Sequence, residues 1–246
     1  MPRYDEWLLA DDKEKMEIMR LNLKQNPHIA AYHFHVRFQT FFDEYLSKKF
    51  KIKAYWRRYE WQGRGSTHVH GLYWIEGVKQ APDEGFPNTA EKDEFAKTWG
   101  LHVTAFNPEP GRNIPIGESN PLASRPGEDT TFRMLSSILN RCQRHHCSES
   151  YCLRRFKLPG GKMSEKKSCR FYFERNLREY PVVSTQISRG KNPPWEVFDG
   201  VRNDGQMNNH IRAITMGWLA NTDAVPCTSL RAVINYISKY CSKAEI

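Results

Sequence analysis

Between Lys51 and Glu76 the residues alternate so regularly that one local arrangement accommodates them. Ile52, Ala54, Trp56, Arg58, Glu60 and Gln62 fall on one side of an extended chain, and Tyr55, Arg57, Tyr59 and Trp61 on the other, because successive strand side chains point to opposite faces. Gly63-Arg64-Gly65-Ser66 supplies a tight connection, and a second strand is expected from about Thr67 to Glu76. The result is an antiparallel hairpin with His68 and His70 just past its turn. Separated by one apolar residue, the two imidazoles share a face and can grip one cation. Glu60 and Gln62 leave the preceding strand on a common side, so either oxygen can join the two nitrogens and leave positions open for a substrate. A divalent ion, Mg²⁺ or Mn²⁺, held there would polarise a phosphate and offset the charge that develops during attack. On its own an H-x-H pair also occurs as a satisfied core feature, so its neighbours carry the reading.

A second constellation lies near the C-terminus. After Pro226, with Thr228 or Ser229 as cap, a helix is expected to run to about Lys243. Its wheel gathers Leu230, Val233, Ile234, Ile237 and Cys241 into one apolar stripe and sets Tyr236, Tyr240 and Lys243 on the flank. Four residues apart, the two tyrosines bring their hydroxyls side by side. A phenol titrates at about pH 10 and needs help to act as a nucleophile. A metal drawing electrons from phosphorus, with Lys239 or Lys243 favouring the phenolate or holding the leaving strand, would provide it. Taken alone, the same residues read as interfacial packing beside a solvated lysine face; together with the histidines they suggest phosphodiester cleavage.

The remaining elements are mostly helical at the start and irregular in the middle. Residues 11–25 make a helix that Asn26-Pro27 ends; Asn26 then caps a longer one, His28 to about Lys49, with Ile29, Tyr32, Val36, Phe41 and Tyr45 among its buried positions. His33 and His35 lie two apart on that helix, face different ways, and read as partly buried helical histidines. Asn88 with Glu91 resembles a capping box for a helix ending near Gly100. Breakers fill 107–128, a helix is expected over about 129–144, and short apolar segments follow near 171–173, 181–187 and 195–198.

Cys142, His145, His146, Cys147, Cys152 and Cys169 crowd into a short, loop-rich stretch. Soft thiolates and imidazole at that density fit a structural Zn²⁺ held by Cys147, Cys152, Cys169 and His145, with His146 or Cys142 as other choices for the fourth ligand and free buried thiols as the alternative. Cys241 reads as core. The chain of 246 residues carries a net charge of +9, a pI near 9.2 and 13% aromatic residues. Basic and aromatic-rich composition suits nucleic acid, although the same charge spread evenly would be an ordinary solvated surface. No stretch reaches the roughly 20 apolar residues of a membrane span, and the first thirty residues do not pattern as a signal peptide. A soluble, intracellular protein is expected, in whose reducing surroundings cysteines serve as ligands before disulfides.

Four segments resemble the Rep-like HUH endonuclease domain (helicase-like domain) of Helitron and Helentron rolling-circle transposases. They are Asn26 to His33 followed by Tyr59-Glu60-Trp61-Gln62-Gly63-Arg64-Gly65-Ser66-Thr67-His68-Val69-His70-Gly71; Cys147 to Arg154 with Cys169-Arg170-Phe171; Arg202-Asn203-Asp204 with Asn208-Asn209 and Trp218 to Asp223; and Tyr236 to Lys243, similar to Y-x-x-K-Y-x-x-K. The resemblance implies an α+β, Rep-type fold with a central antiparallel sheet flanked by helices, over 1–246, with a helical lead at 1–50, a zinc-binding insertion at 140–172 and a nucleophile helix at 228–243. It implies a divalent ion on His68 and His70 with Glu60 or Gln62, and Tyr236 or Tyr240 joined transiently to a 5′ end of single-stranded DNA, with Lys239 and Lys243 beside them. It also implies a nuclear location and a fused or separate helicase partner. An apolar strand that the family places ahead of its first helices is not supplied by residues 1–11, so a fragment, or a catalytically inactive, zinc-containing DNA-binding remnant, is the alternative. A metal hydrolase using water is a third reading.

Overall fold

The computed structural model describes residues 3–61, 67–110, 131–149, 151–158, 160–186 and 194–242, with the side chains of 131–133 excepted. Gln62, the 63–66 turn, most of the 107–128 loop and Lys243 therefore lie outside the described residues. The chain divides into two compact units, one formed by Met1–Val78 with Arg231–Ile246 and the other by Lys79–Leu230.

The first unit begins with α1 (Tyr4–Leu9) and α2 (Asp12–Gln25). Asp11 caps α2 reciprocally: its Oδ1 accepts from Glu14 N at 2.8 Å, and its own N–H donates to Glu14 Oε2 at 3.0 Å, which satisfies two donors that a helix start leaves open. Pro27 opens α3 (Pro27–Phe41), which continues through a π-helical turn, Phe42–Leu46, into α4 (Ser47–Lys49). Asn26 does precede that helix but does not cap it, since its Nδ2 donates backwards to Asn22 O at 3.2 Å.

The expected buried face of this long helix is corrected by the structure. Ile29, Tyr32 and Val36 are exposed, Phe41 and Tyr45 are half-buried, and Phe38, Phe42 and Leu46 form the buried row. His33 and His35 are exposed rather than partly buried. The phase is set by the partner: Phe34 and Phe38 each meet the Tyr59 ring edge-on at 6.1 Å, and Phe42 meets Tyr55 at 4.6 Å, so the bulkiest aromatics turn to the aromatic face of the hairpin.

That hairpin is β1 (Ile52–Trp61) and β2 (Thr67–Ile75), in the expected antiparallel register with Glu60 opposite His68, Arg58 opposite His70 and Trp56 opposite Leu72. Tyr55, Arg57 and Tyr59 face the helix, with the Arg57 guanidinium over the Tyr55 ring at 4.3 Å and the Phe42 ring at 4.4 Å. The opposite face carries Glu60, His68 and His70.

The second unit carries α5 (Thr89–Gly100), β3 (Val103–Thr104), α6 (Thr131–Ile138) with its π-helical extension Leu139–Gln143, β4 (Leu153–Arg154), β5 (Ser168–Cys169), β6 (Val182–Gln186), β7 (Trp195–Asp199), β8 (His210–Ile211) and α7 (Arg212–Trp218). Asn88 caps α5 as expected, accepting from Glu91 N at 2.9 Å. Two small apolar clusters form its core, one around Phe95, Ala96, Val103 and Phe198 and one around Ala105, Leu135, Leu139 and Met207. Between such small cores the interior is held by paired polar groups. The guanidinium of Arg202, 1% exposed, binds Asp199 Oδ1 at 2.7 Å and Asn209 Oδ1 at 3.3 Å, and donates to Met207 O. Gln143 clamps Thr222 through both amide atoms.

The architecture is mixed α+β, as expected, but the described strands form four two-stranded antiparallel sheets, β1–β2, β3–β8, β4–β5 and β6–β7, in place of the expected central sheet. Everything from Tyr4 to Lys49 ahead of the hairpin is helix or helix connection, so that segment offers β1 and β2 no third strand. The apolar segment near 171–173 is likewise no strand: Tyr172 adopts a left-handed backbone with φ 62°. The last helix, α8 (Leu230–Cys241), belongs almost wholly to the first unit.

Candidate functional site

Because Glu60 and His68 are cross-strand partners and His70 follows on the same face, the hairpin alone brings the three side chains together. One oxygen, Glu60 Oε2, lies 3.1 Å from His68 Nε2 and 3.3 Å from His70 Nε2, and the two nitrogens are 3.0 Å apart. Glu60 is buried and the two imidazoles are partly so. His70 Nδ1 lies 3.1 Å from the Tyr236 hydroxyl. In the tautomer that carries its proton on Nδ1, His70 donates to Tyr236 and turns a lone pair towards Glu60 and His68. A carboxylate oxygen and ring nitrogens then converge as acceptors, an arrangement that a cation satisfies. These three residues could hold a metal ion, with Glu60 offering the oxygen; Gln62, the other expected oxygen donor, lies outside the described residues.

Two tyrosines of α8 border these residues. Tyr240 lies flat on the His70 imidazole, ring centroids 3.8 Å apart at 25°, while Tyr236 meets His70 and the edge of Trp56 at 6.1 and 6.3 Å. Their own rings are 4.7 Å apart. This contact rotates α8 away from the expected phase. Leu230 and Ile234 are 48% and 53% exposed and Cys241 is exposed, whereas Val233, Tyr236, Ile237 and Tyr240 are half-buried. Burying two aromatic rings against an imidazole and an indole outweighs burying the whole aliphatic stripe. Lys239 places its ammonium 5.1 Å from the Tyr240 ring centroid; Lys243 is outside the described residues.

Two residues of this face went unassigned in the sequence although the signal was present. Arg58 stands directly across from His70, and Trp56 supports Tyr236. Both share the even-numbered side of β1 with Glu60, which is enough to place them beside the ligands.

In the second unit, His145, Cys147, Cys152 and Cys169 bring one imidazole nitrogen and three sulfurs within 4.8 Å of one another, so the cluster could bind zinc. His145 is thereby the fourth member; His146 is exposed and, with Cys142, lies outside the group. The cluster is built locally and anchored remotely. A tight turn gives Ser148 N–H to Cys152 Sγ at 3.2 Å, and β4–β5 pairing sets Leu153 against Cys169. Arg144 is tied to Asp204 at 2.5 Å and His145 N to Gln206 O at 2.8 Å, while the His145 ring stacks on Phe173 at 4.4 Å. Burial, then the charges of His146 and Arg175, hold the His145 imidazole below its ordinary range, which keeps a lone pair available. Burial opposes a thiolate at Cys169, but backbone N–H donors from Phe173 and Phe171 overturn it and pull that thiol down. Partial burial and the neighbouring thiols Cys169 and Cys152 push Cys147 up to about 12. Three thiolates cannot share so small a space without a compensating cation, which is the donor chemistry of a structural zinc site.

Among the described residues no helix is long and apolar enough to cross a membrane. No curated protein and no solved structure matches the chain. Residues 5–73 match the family model of the Helitron helicase-like domain at N-terminus. The match takes in α1 to α4 and the hairpin up to Tyr73, including Glu60, His68 and His70, and it relates this segment to proteins associated with transposons.

Proposed function

We propose that the chain is a metal-dependent endonuclease of the HUH type that nicks and rejoins single-stranded DNA during rolling-circle transposition. The observation that carries this reading is the Tyr236 hydroxyl, 3.1 Å from the outer nitrogen of His70, whose inner nitrogen faces Glu60 and His68. A Mg²⁺ or Mn²⁺ ion held by Glu60, His68 and His70 would polarise the scissile phosphate. His70 Nδ1–H stabilises negative charge growing on the Tyr236 oxygen, and Glu60 keeps the imidazole oriented. The phenol oxygen attacks phosphorus, the P–O3′ bond breaks, the phenol proton passes to the departing 3′ oxygen, and the 5′ end remains esterified to the tyrosine. Tyr240, on the neighbouring turn, is the second acceptor for strand transfer after a modest shift of α8. Zinc on His145, Cys147, Cys152 and Cys169 would give the second unit's loop-rich segment the rigidity that its small core does not.

The two-stranded character of the sheet that carries the site favours one other reading, an inactive, zinc-containing DNA-binding remnant. Incubating the chain with end-labelled single-stranded oligonucleotides and Mn²⁺ separates the two. A denaturing gel is expected to show a protein-linked DNA band, absent from His68→Ala and His70→Ala although both still bind the oligonucleotide. Binding without any adduct, across varied sequences and metals, supports the remnant; an adduct of equal yield in both histidine variants sinks the ion assignment.

A further inference from the structure

The chain's positive charge is far from evenly spread. From Glu149 to Arg170 seven basic residues stand against two acidic ones, a net +5 of the chain's +9. This is the stretch that Cys152 and Cys169 pinch together at its base. Beyond the β4–β5 pair the two arms stay joined: Phe156 N donates to Ser164 Oγ at 2.9 Å, Ser164 N to Phe156 O at 2.8 Å and Leu158 N to Lys162 O at 2.8 Å. The described residues of this segment therefore form a paired arm. Its side chains are mostly outward: Arg155, Lys157, Lys166 and Arg170 are exposed, and among the described residues Arg155, Lys157 and Lys166 have no ion-pair partner.

Aromatic rings accompany the charge. Tyr151 is 41% and Phe156 37% exposed, and Arg170 lies over the Tyr151 and Phe171 rings at 5.2 and 4.5 Å. Tyr172 is 79% exposed and holds a left-handed backbone conformation, φ 62°, that disfavours a non-glycine residue. A tyrosine kept in a costly conformation and presented to solvent fits a ring that works on something outside the chain. Lysines and arginines that track phosphates, interleaved with rings on which bases can stack, are the recognition chemistry of single-stranded nucleic acid. A duplex, whose bases are already stacked, has no use for the rings.

We infer that the Cys/His-pinned arm, residues 149–173, is a docking surface for single-stranded DNA, gripping backbone phosphates with Arg155, Lys157 and Lys166 and stacking bases on Tyr172. This assigns a surface to the substrate class of the proposed nuclease, but it needs only the second unit's own residues and stands whether or not the chain cleaves.

The test is fluorescence anisotropy of a labelled oligothymidylate with the full chain purified without chelator, in buffer free of Mg²⁺ and Mn²⁺, over a range of salt. Arg155→Glu/Lys157→Glu/Lys166→Glu is expected to weaken binding at least ten-fold and to flatten the salt dependence by about two, since each phosphate contact on a single strand contributes roughly 0.7 to the slope. Tyr172→Ala is expected to weaken it roughly five- to a hundred-fold, the range for one stacked base. The neutral triple Arg155→Gln/Lys157→Gln/Lys166→Gln, with one zinc per chain and an unchanged circular dichroism spectrum, guards against misfolding. Affinity and slope equal to the parent in that folded variant overturn the proposal. So does a duplex that binds as tightly as the single strand and is indifferent to Tyr172→Ala. A missing covalent adduct leaves this result untouched, and loss of this surface leaves the chemistry at His70 to be judged by the adduct.

Discussion

At the scale of single residues, His70 does two things at once, and the two tyrosines divide accordingly. Its Nδ1 reaches the Tyr236 hydroxyl and its ring face carries Tyr240, so removing one hydroxyl should not equal removing the other. Tyr236→Phe is expected to cut adduct formation about 100-fold or more. Tyr240→Phe, which keeps the stacked ring, should retain the first adduct and lose strand transfer, and the double variant should make no adduct while folding normally. Cleavage by that double variant would place the nucleophile elsewhere, with water the first candidate. A different residue governs acid stability. Burial, reinforced by Arg212 and Arg202 and only partly offset by Asn208 O, pulls the His210 imidazole from 6.5 down to about 4. Its Nε2 is buried with no hydrogen-bond partner among the described residues, so the folded chain keeps it neutral while the unfolded chain protonates it. The contribution is complete above pH 6.5 and is lost as pH falls from there towards 4, on the order of 3 kcal/mol in all. Urea midpoints at pH 7.5 and 5, with zinc content followed in parallel, should drop more steeply for the parent chain than for His210→Gln.

At the scale of elements, what the sequence made legible is what short-range geometry decides. The alternation from Ile52 to Trp61 and the turn that follows give the β1–β2 register, and with it Glu60 opposite His68. The spacing of Cys147, Cys152 and Cys169 with His145 nearby was enough to assemble the thiol cluster, because the turn at Ser148 and one strand pair do the folding. Helix phase was not legible. On both α3 and α8 two faces carry apolar residues, and the choice between them rests on a partner distant in sequence, the aromatic back of the hairpin for α3 and His70 with Trp56 for α8. The structure makes the α3 choice measurable. Phe38→Ala, at a site 5% exposed, should cost roughly 3–5 kcal/mol of stability, whereas Tyr32→Ala, at 72% exposed, should fall within about 0.5 kcal/mol of neutral. Equal losses in chemical denaturation would mean that the helix buries both faces.

At the scale of the whole molecule, the two candidate ion sites are closed by very different lengths of chain. Glu60, His68 and His70 lie within one hairpin, and the Cys/His cluster within one stretch of the second unit, but the tyrosines return to the hairpin only after the chain has passed through all of Lys79–Leu230. An unfolded connection of that length imposes a closure entropy that a folded unit removes. The third segment of the resemblance serves the second unit's interior: Arg202, Asp204 and Asn209 hold Asp199, Arg144 and Arg202 respectively. The expected loss on breaking the Cys/His cluster follows from this division. Cys147→Ser/Cys152→Ser should release zinc and loosen the arm, leave Mn²⁺ affinity at the hairpin within about two-fold of the parent, and lower the rate of adduct formation by ten-fold or more. Calorimetric Mn²⁺ titration beside the adduct assay reads both quantities on one preparation. If Mn²⁺ affinity falls in step with adduct formation, the hairpin site depends on the second unit, and the local origin argued for Glu60, His68 and His70 is wrong.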